Sequence, residues 1–406
     1  MSYITFVYDT MNLKNFNART GKLGRRTAVF GRETIEYDYF IPEPLPSIVE
    51  FCKDLSIIEK SNEANRVIGE LLGLTKNLGD LDLFVDPYLR KEAVDSSEIE
   101  GTFVSLTDVF LSEAGSKKPE FWNPNVKEVT NFVKSVNYVL SEIKLGKKID
   151  KTMINIMHRI LLEGTRGQDN LVGEFRKQQN WIKVKGKTRD VLDADFVPPC
   201  PEEVENLMNY FFDYLNKNDG HMRLIKSGLI HYYFETVHPY EDGNGRVGRA
   251  IILLYLIQSK VIEEPILYLS PYFKKYKEAY YSLLMEVRET GDYSKWIKFF
   301  LDGIIEIAIN TSKKVRKLIS LYNDYKKRLT DAKATSISFV LLDKFFERPY
   351  YFITLLQEEL KTDYPKTKRG LNYLEKCGVI ALYTKYKRNK IYVALEILKI
   401  LEEDLI

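Results

Sequence analysis

Cysteine and histidine are scarce in this 406-residue sequence, and the scarcity limits the chemistry that the chain can perform. The three cysteines, Cys52, Cys200 and Cys377, are widely spaced and form no CxxC pair. That excludes a disulfide framework and a thiolate zinc site, and it favours a reducing cytosol. The four histidines are His158, His221, His231 and His238. Any reaction that needs an imidazole therefore has a short list of candidates.

Long apolar runs and a strong net charge are also missing. The longest strongly apolar stretch, residues 250–257, is far shorter than the roughly 20 residues that a bilayer-spanning helix needs. The first residues show no basic region followed by a long apolar run, so we expect no signal peptide, no membrane contact and a cytoplasmic location. A net charge of +3 excludes a polycation that coats nucleic acid.

The composition is ordinary for a globular protein, with 45% hydrophobic and 29% charged residues, and the length favours two or three domains. Apolar residues recur at helical spacing along most of the chain, which predicts a mainly α fold. We predict short strands before residue 45 and a hairpin over 180–197. A first helix is predicted to begin near residue 47. Further helices are predicted in the ranges 60–76, 86–99, 124–165, 222–237, 245–258, 272–288 and 293–328.

The densest chemistry lies in residues 238–249, which read HPYEDGNGRVGR. The glycines match the dinucleotide fingerprint GxGxxG, but that motif needs a preceding strand, and here the preceding residues have helical spacing. Gly243 and Gly245 let the backbone turn tightly and point its N–H groups outward at the start of a helix. Such a turn is an anion nest.

Charged side chains surround this predicted nest. Arg246 and Arg249 are three apart on a helix and share a face, so together they can hold a di- or triphosphate. Asp242 would repel phosphate unless a divalent cation lies between them, which predicts Mg²⁺. His238 can accept a proton from a nucleophile. The alternative is a glycine turn with two solvated arginines and a helix-capping histidine.

This stretch resembles the signature of the Fic family, His-x-Phe-x-[Asp/Glu]-Gly-Asn-Gly-Arg-x-x-Arg, and the resemblance extends over roughly residues 40–310. Tyr240 stands where Phe is usual, a swap that we expect to be tolerated. The resemblance implies a helical-bundle core with a β-hairpin flap. It also implies adenylylation, in which AMP moves from ATP to a Tyr, Thr or Ser hydroxyl of a target protein, or of the chain itself, and pyrophosphate leaves.

The resemblance assigns roles to the residues of the signature. It implies that His238 is the general base and that Asp242 holds Mg²⁺ between the α- and β-phosphates. The α-phosphate would lie against Asn244 and the backbone of residues 243–245, the β-phosphate against Arg246 and the γ-phosphate against Arg249. Family members that phosphorylate often carry Lys at the position of Gly245. The expected ATP-binding set is Gly243, Asn244, Gly245, Arg246, Val247, Gly248, Arg249 and Tyr281, although helical packing explains Tyr281 equally well.

Upstream, residues 96–101 read SSEIEG and resemble the family's inhibitory motif, [Ser/Thr]-x-x-x-Glu-[Gly/Asn]. The resemblance implies that Ser96 and Glu100 belong to an inhibitory helix, which Gly101 closes. Glu100 would pair with Arg249 and displace the γ-phosphate. The alternative is an ordinary surface helix end.

The 180–197 hairpin matches the family's flap in position, and a target segment could add to its edge as an extra strand. The alternative is a hairpin that only covers a core. Residues 173–176, which read GEFR, resemble a family stretch before the flap that we interpret as structural. We give the same interpretation to His158 and His231.

Residues 336–400 predict three helices and a hairpin, the pattern of a winged helix. Residues 361–390 contain nine Lys or Arg and two acidic residues, so this unit could contact DNA. A protein-docking or dimer module is an equal alternative. The predicted domains are an N-terminal region with the inhibitory helix (1–112), a catalytic core (113–312) and a winged helix (330–406). Two other functions stay open, namely a DNA-binding regulator with a nucleotide-sensing core and transfer of another nucleotide or phosphate-linked group.

Overall fold

A computed structural model describes residues 5–7, 20–30, 33–51, 53–75, 82–114, 123–165, 171–182, 194–218, 222–384, 390–403 and 405. The chain divides into two compact units, each built from three stretches. Unit 1 contains residues 1–63, 134–261 and 276–303, and unit 2 contains residues 64–133, 262–275 and 304–406. In the described residues, no helix is long and apolar enough to cross a bilayer.

Unit 1 begins with a three-stranded sheet. Its strands are β1 (Thr5–Val7), β2 (Gly21–Phe30) and β3 (Glu33–Pro42), in the order β1-β3-β2. β2 and β3 are antiparallel from Gly21 opposite Pro42 to Phe30 opposite Glu33, whereas β1 is parallel to β3. The prediction of short strands before residue 45 was therefore wrong in length, because the two long strands pair over ten residues each.

Strand β3 contributes two aromatic residues to a hydrophobic cluster of unit 1. Tyr37 and Phe40 pack with Phe196 and Val197, which lie at the base of the predicted flap. The Phe40 N–H donates to the Val197 carbonyl at 2.9 Å. Main-chain and side-chain contacts with β3 thus hold one end of the predicted flap in place.

The helices of unit 1 enclose one fully buried helix. α8 (Arg223–Val237) is buried from Leu224 to its end and packs against α9 (Asn244–Gln258). The others that lie wholly in this unit are α1 (Ile48–Phe51), α6 (Lys151–Leu162), α7 (Pro201–Asn216) and α11 (Lys277–Thr290). The Asp150 carboxylate accepts the N–H of Met153 at 2.7 Å and thereby caps the start of α6.

Unit 2 is built around α3 (Asp82–Ile99). α3 packs against α4 (Leu106–Glu113), α10 (Ser270–Lys275), α13 (Ser336–Glu347) and α16 (Leu395–Glu402). Three long helices contain residues of both units, namely α2 (Leu55–Thr75), α5 (Val126–Lys144) and α12 (Ser294–Asp331).

The C-terminal part of unit 2 runs helix, strand, helix, helix, strand, strand. After α13 come β4 (Tyr350–Phe352), α14 (Ile353–Leu360), α15 (Tyr364–Lys376), β5 (Ala381–Leu382) and β6 (Ile391–Val393), with sheet order β4-β6-β5. The winged-helix assignment stays a prediction that this order supports. The sequence pattern missed β4 and α16. The turn of the predicted C-terminal hairpin lies largely outside the described residues, which omit 385–389.

Candidate active site

The turn between α8 and α9 is anchored by an unusual backbone conformation. His238 caps α8 in the left-handed region, with φ 50° and ψ 61°, and its N–H donates to the Phe234 carbonyl at 2.9 Å. Non-glycine residues in this region store strain, and surrounding structure must hold them there. His238 is 20% exposed, so its ring is accessible from one side.

Asn244 closes the turn from within. Its side-chain oxygen accepts the Tyr240 N–H at 2.8 Å, and its amide nitrogen donates to the Tyr240 carbonyl at 2.8 Å. Both bonds use the side chain that the sequence assigned to the α-phosphate. The side chain of Asn244 therefore holds the shape of the turn, and its backbone N–H lies at the start of α9.

Gly243 starts α9 in the left-handed conformation that glycine adopts without strain, with φ 80°. Its N–H donates to the Asp242 carboxylate at 2.6 Å. The first N–H that bonds back along the chain is that of Val247, to the Gly243 carbonyl. The N–H groups of residues 244–246 thus stand at the positive end of the helix dipole, the arrangement that binds anions.

The two signature arginines are buried, Arg246 to 2% exposure and Arg249 to 3%. Arg246 Nη2 lies 3.5 Å from the Asp242 carboxylate, which is 39% exposed. Cations held this deeply at a helix start suit a polyanion better than a solvated pair would. Val247, which follows Arg246, is fully buried in the core.

His158 on α6 supports the turn from below. The Gly173 N–H donates to its Nδ1 at 2.9 Å, so Nδ1 is an acceptor and Nε2 carries the proton. Nε2 then donates to the Asp242 carbonyl at 3.0 Å. Burial lowers the pKa of His158 to about 4, so the ring is neutral at physiological pH. The structural interpretation of His158 agrees with these bonds, which hold the backbone of the residue expected to bind metal.

Tyr240 replaces the usual phenylalanine, and the structure accommodates its hydroxyl. The ring is completely buried and stacks on His158 at 3.8 Å between centroids and an angle of 8°. The hydroxyl donates to the Asn155 side-chain oxygen at 2.7 Å. Burial raises the pKa of this hydroxyl, so it stays protonated and can donate.

Arg176 clamps the turn from the segment before the flap. Its Nε donates to the His238 carbonyl at 2.9 Å, its Nη2 to the Pro199 carbonyl, and its backbone N–H to the Pro239 carbonyl at 2.9 Å. Burial lowers the pKa of its guanidinium to about 10, which keeps it charged at neutral pH. One side chain thus joins the strained turn to the segment after the flap.

Comparison with known families agrees with this geometry. Residues 58–141 match the family model described as "Fic/DOC family N-terminal". Residues 148–256, which include the whole turn and most of α9, match the family model described as "Fic/DOC family". Residues 58–141 and 148–256 are thus similar to the two domains of the Fic/DOC family.

Individual Fic relatives are distant. The chain is 26% identical over 210 residues to a protein of Aquifex aeolicus named as a probable protein adenylyltransferase, which covers 52% of this chain and 58% of that one. It is 27% identical over 150 residues to the protein adenylyltransferase Fic of Nematostella vectensis, with 36% and 33% covered. The chain thus spans less than two thirds of the length of these relatives.

The fold has a solved counterpart. A Fic family protein from Desulfovibrio desulfuricans superposes with a TM-score of 0.54 and 20% sequence identity, over 87% of this chain and 98% of that one. The mainly helical Fic fold expected from the sequence is thereby confirmed.

The segment predicted to be inhibitory has the helix ending that the sequence predicts. α3 ends at Ile99, and Gly101 follows with φ +84°. The Thr102 N–H donates to the Ser97 carbonyl and the Gly101 N–H to the Glu98 carbonyl, which is a Schellman ending. Ser96 is fully buried, whereas Glu100 is exposed. Glu100 lies in unit 2 and Arg249 in unit 1, and their pairing stays a prediction.

The predicted flap is described only at its base. Ile182 and Phe196 form an antiparallel bridge, with the Ile182 N–H on the Phe196 carbonyl at 2.8 Å and the Phe196 N–H on the Ile182 carbonyl at 3.1 Å. Residues 183–193 lie outside the described part of the chain. The two chain segments therefore come together as a hairpin requires.

Tyr280 and Tyr281 are neighbours on α11 but have different surroundings. The Tyr280 hydroxyl meets Nε2 of the buried His231 at 2.8 Å, while His231 Nδ1 faces the Gly248 carbonyl at 3.1 Å. Burial lowers the pKa of His231 to about 3, so the pair is a neutral core contact, in agreement with its structural interpretation. Tyr281 is partly exposed, with the Lys277 ammonium 6.0 Å from its ring centroid.

The signature turn offers one carboxylate, that of Asp242, as a ligand for Mg²⁺. No group of three or more His, Cys, Asp or Glu side chains in the described ranges could hold a metal alone. Mg²⁺ bound with a nucleotide needs only one or two carboxylates, since phosphates and water complete its shell. Asp242, partly exposed beside the predicted phosphate site, fits that mode.

Proposed function

We propose that this chain is a protein adenylyltransferase, which transfers AMP from ATP to a hydroxyl of a target protein and to its own chain. The observation that carries the proposal is the signature turn, because it places a half-buried imidazole, a row of helix-start N–H groups and two buried arginines in twelve residues of one unit. The named relatives support the same activity.

The phosphates would bind along the start of α9. The N–H groups of residues 244–246 suit the α-phosphate, whose charge rises as the transition state forms. Arg246 and Arg249 would hold the β- and γ-phosphates, and Asp242 would hold Mg²⁺, which neutralises phosphate charge when bound. These contacts position the nucleotide before the chemical step, which is where most of the catalysis in phosphoryl transfer arises.

His238 would act as the general base. A target hydroxyl gives its proton to the imidazole while its oxygen forms a bond to the α-phosphorus of ATP. The bond from that phosphorus to the bridging oxygen breaks, and the electron pair leaves with pyrophosphate. Arg176 supports this step by fixing the His238 carbonyl, and with it the direction of the ring.

The target would dock on the flap. Ile182 and Phe196 close the base of the predicted hairpin, and Arg176, which precedes it in the chain, bonds to the His238 carbonyl. A target strand added to the edge of the hairpin can therefore present a hydroxyl to His238. We also propose that Glu100 inhibits the enzyme through Arg249, since Gly101 ends α3 and leaves Glu100 exposed.

The donor can be identified with ATP, GTP, UTP and CTP, each labelled in the α-phosphate. We expect ATP to label the protein, Glu100→Gly to increase the label, and His238→Ala to abolish it. Glu174→Gln is the matched control for Glu100→Gly, because it also removes an exposed carboxylate, one that pairs only with nearby Lys177 in the described contacts. Preferred labelling by another nucleotide would contradict the ATP assignment and favour transfer of a different group.

A second candidate function concerns the C-terminal part of unit 2. Lys366, Arg369, Asn372 and Lys376 are exposed along one face of α15, whose opposite face is buried. A helix that presents such a stripe can contact DNA phosphates. We expect Lys366→Glu with Arg369→Glu to reduce the salt dependence of DNA retention by about 2 in the log–log slope. The control is Lys313→Glu with Lys327→Glu on α12, and equal loss in both would exclude α15 as the contact.

A further inference from the structure

Glu235, which the signature does not include, lies next to the proposed base. It occupies the last turn of α8, three residues before His238, and its Oε2 is 4.0 Å from His238 Nδ1. The carboxylate is 10% exposed, so water screens little of the interaction between the two groups.

Gly248 of the signature provides the space for this carboxylate. A Cβ atom at Gly248 would stand 2.3 Å from Glu235 Oε1 and 3.0 Å from Phe234 Cδ1. Real Cβ atoms essentially never show the first distance, and the second is a tight contact. The glycine therefore has a packing reason at this position, namely to let the Glu235 carboxylate lie between α8 and α9.

Other charged groups bear on Glu235 and His238. From α11, the buried Arg288 guanidinium attracts Glu235, donates to Thr236 Oγ1 at 3.2 Å and covers the Phe196 ring at 3.8 Å. The signature turn and helix add the charges of Asp242, Arg246 and Arg249, and the charged Arg176 side chain donates to the His238 carbonyl.

We propose that Glu235 is a positioning residue for His238, an inference that rests on the proposed function. In a neutral imidazole one nitrogen carries the proton and the other accepts one. A carboxylate on the Nδ1 side favours the proton at Nδ1 and leaves Nε2 as the acceptor for the target hydroxyl. The same charge stabilises the imidazolium that forms when the hydroxyl gives up its proton.

The contrasting role is purely structural, in which Glu235 only neutralises Arg288. Both roles predict a loss of stability on substitution, so stability does not separate them. Only the positioning role predicts a change in the titration of His238, because that depends on the charge beside its ring.

The test follows the His238 ring by NMR as a function of pH, with His238→Ala to identify its signal. In Glu235→Gln, which keeps the shape and removes the charge, we expect the midpoint to fall by about one pH unit, a tenfold change in proton affinity. Glu235→Asp retains the charge and should stay closer to the native value. The control Glu174→Gln removes an exposed carboxylate and should leave the midpoint unchanged. An unchanged midpoint in Glu235→Gln would overturn the proposal.

A second variant tests the same contact from the other side. Gly248→Ala forces the carboxylate away from its place and should also lower the His238 midpoint, and adding Glu235→Gln should then lower it little further. If the double variant shows the sum of the two single midpoint shifts, the two substitutions do not act through the same contact, which would contradict the proposal. The NMR readout needs no activity, so a shifted midpoint with no AMP transfer by the native chain would reject the proposed function and keep the inference.

Discussion

Protonation of His158 should weaken the turn that carries Asp242. In the folded chain the pKa of His158 is lowered by burial from its ordinary 6.5 to about 4. As the pH falls below the ordinary value, the unfolded chain takes up the proton first, so folding stability is lost between these two values and is fully present above them. The doubly protonated ring also has no acceptor for the Gly173 N–H.

The size of the loss follows from the two pKa values. At about pH 5 nearly all of the unfolded His158 is protonated but only a small part of the folded one, which corresponds to about 2 kcal/mol relative to about pH 7.5. His231, whose pKa burial lowers to about 3, adds a loss of about the same size. Replacement of His158 by a residue that does not titrate should therefore remove about half of the combined effect.

The assay is urea unfolding at these two pH values for the native chain and His158→Phe, which keeps a ring against Tyr240. His158→Phe should be less stable at neutral pH, since it loses two buried hydrogen bonds, but it should lose about 2 kcal/mol less than the native chain on acidification. If both proteins lose the same stability between the two pH values, the neutral buried state assigned to His158 is wrong.

Three further predictions concern the helix that we propose to be inhibitory and the buried Tyr240. Lys274→Glu breaks the ion pair with Asp95 of α3, at 3.0 Å, and should raise AMP transfer by loosening the helix, with incorporated label as the measurement. Gly101→Ala forces a side chain into the left-handed region, costs about 1 kcal/mol in thermal unfolding and should also raise AMP transfer. Tyr240→Phe leaves the Asn155 amide oxygen without its donor, and a double-mutant cycle with Asn155→Ala should give a coupling of about 1 kcal/mol.

The chemistry of the turn could be predicted because it is local. Glycines beside Asn244, two arginines three apart and an acidic residue lie within twelve positions, and helix geometry alone brings their backbone and side chains to one end of α9. The end of α3 was predictable for the same reason, since Gly101 closes a helix by a conformation that few other residues adopt.

The support of the turn could not be predicted, because it depends on contacts distant in the chain. Arg176 reaches the His238 carbonyl from 62 positions away, and His158 meets the Asp242 carbonyl from 84 positions away. Neither periodicity nor spacing shows such pairs. Only the resemblance of residues 173–176 to a family stretch gave a signal, and it named no partner. The long pairing of β2 with β3 was missed because polar and apolar residues alternate only partly along it.

The most direct test of the proposed activity compares ATP labelled in the α-phosphate with ATP labelled in the γ-phosphate, using the Glu100→Gly chain. Adenylyl transfer predicts that the α-label becomes covalently attached to protein, that the γ-label does not, and that His238→Ala retains neither. Attachment of the γ-label instead would show phosphate transfer, and α-labelling that persists in His238→Ala would show that this histidine is not the base.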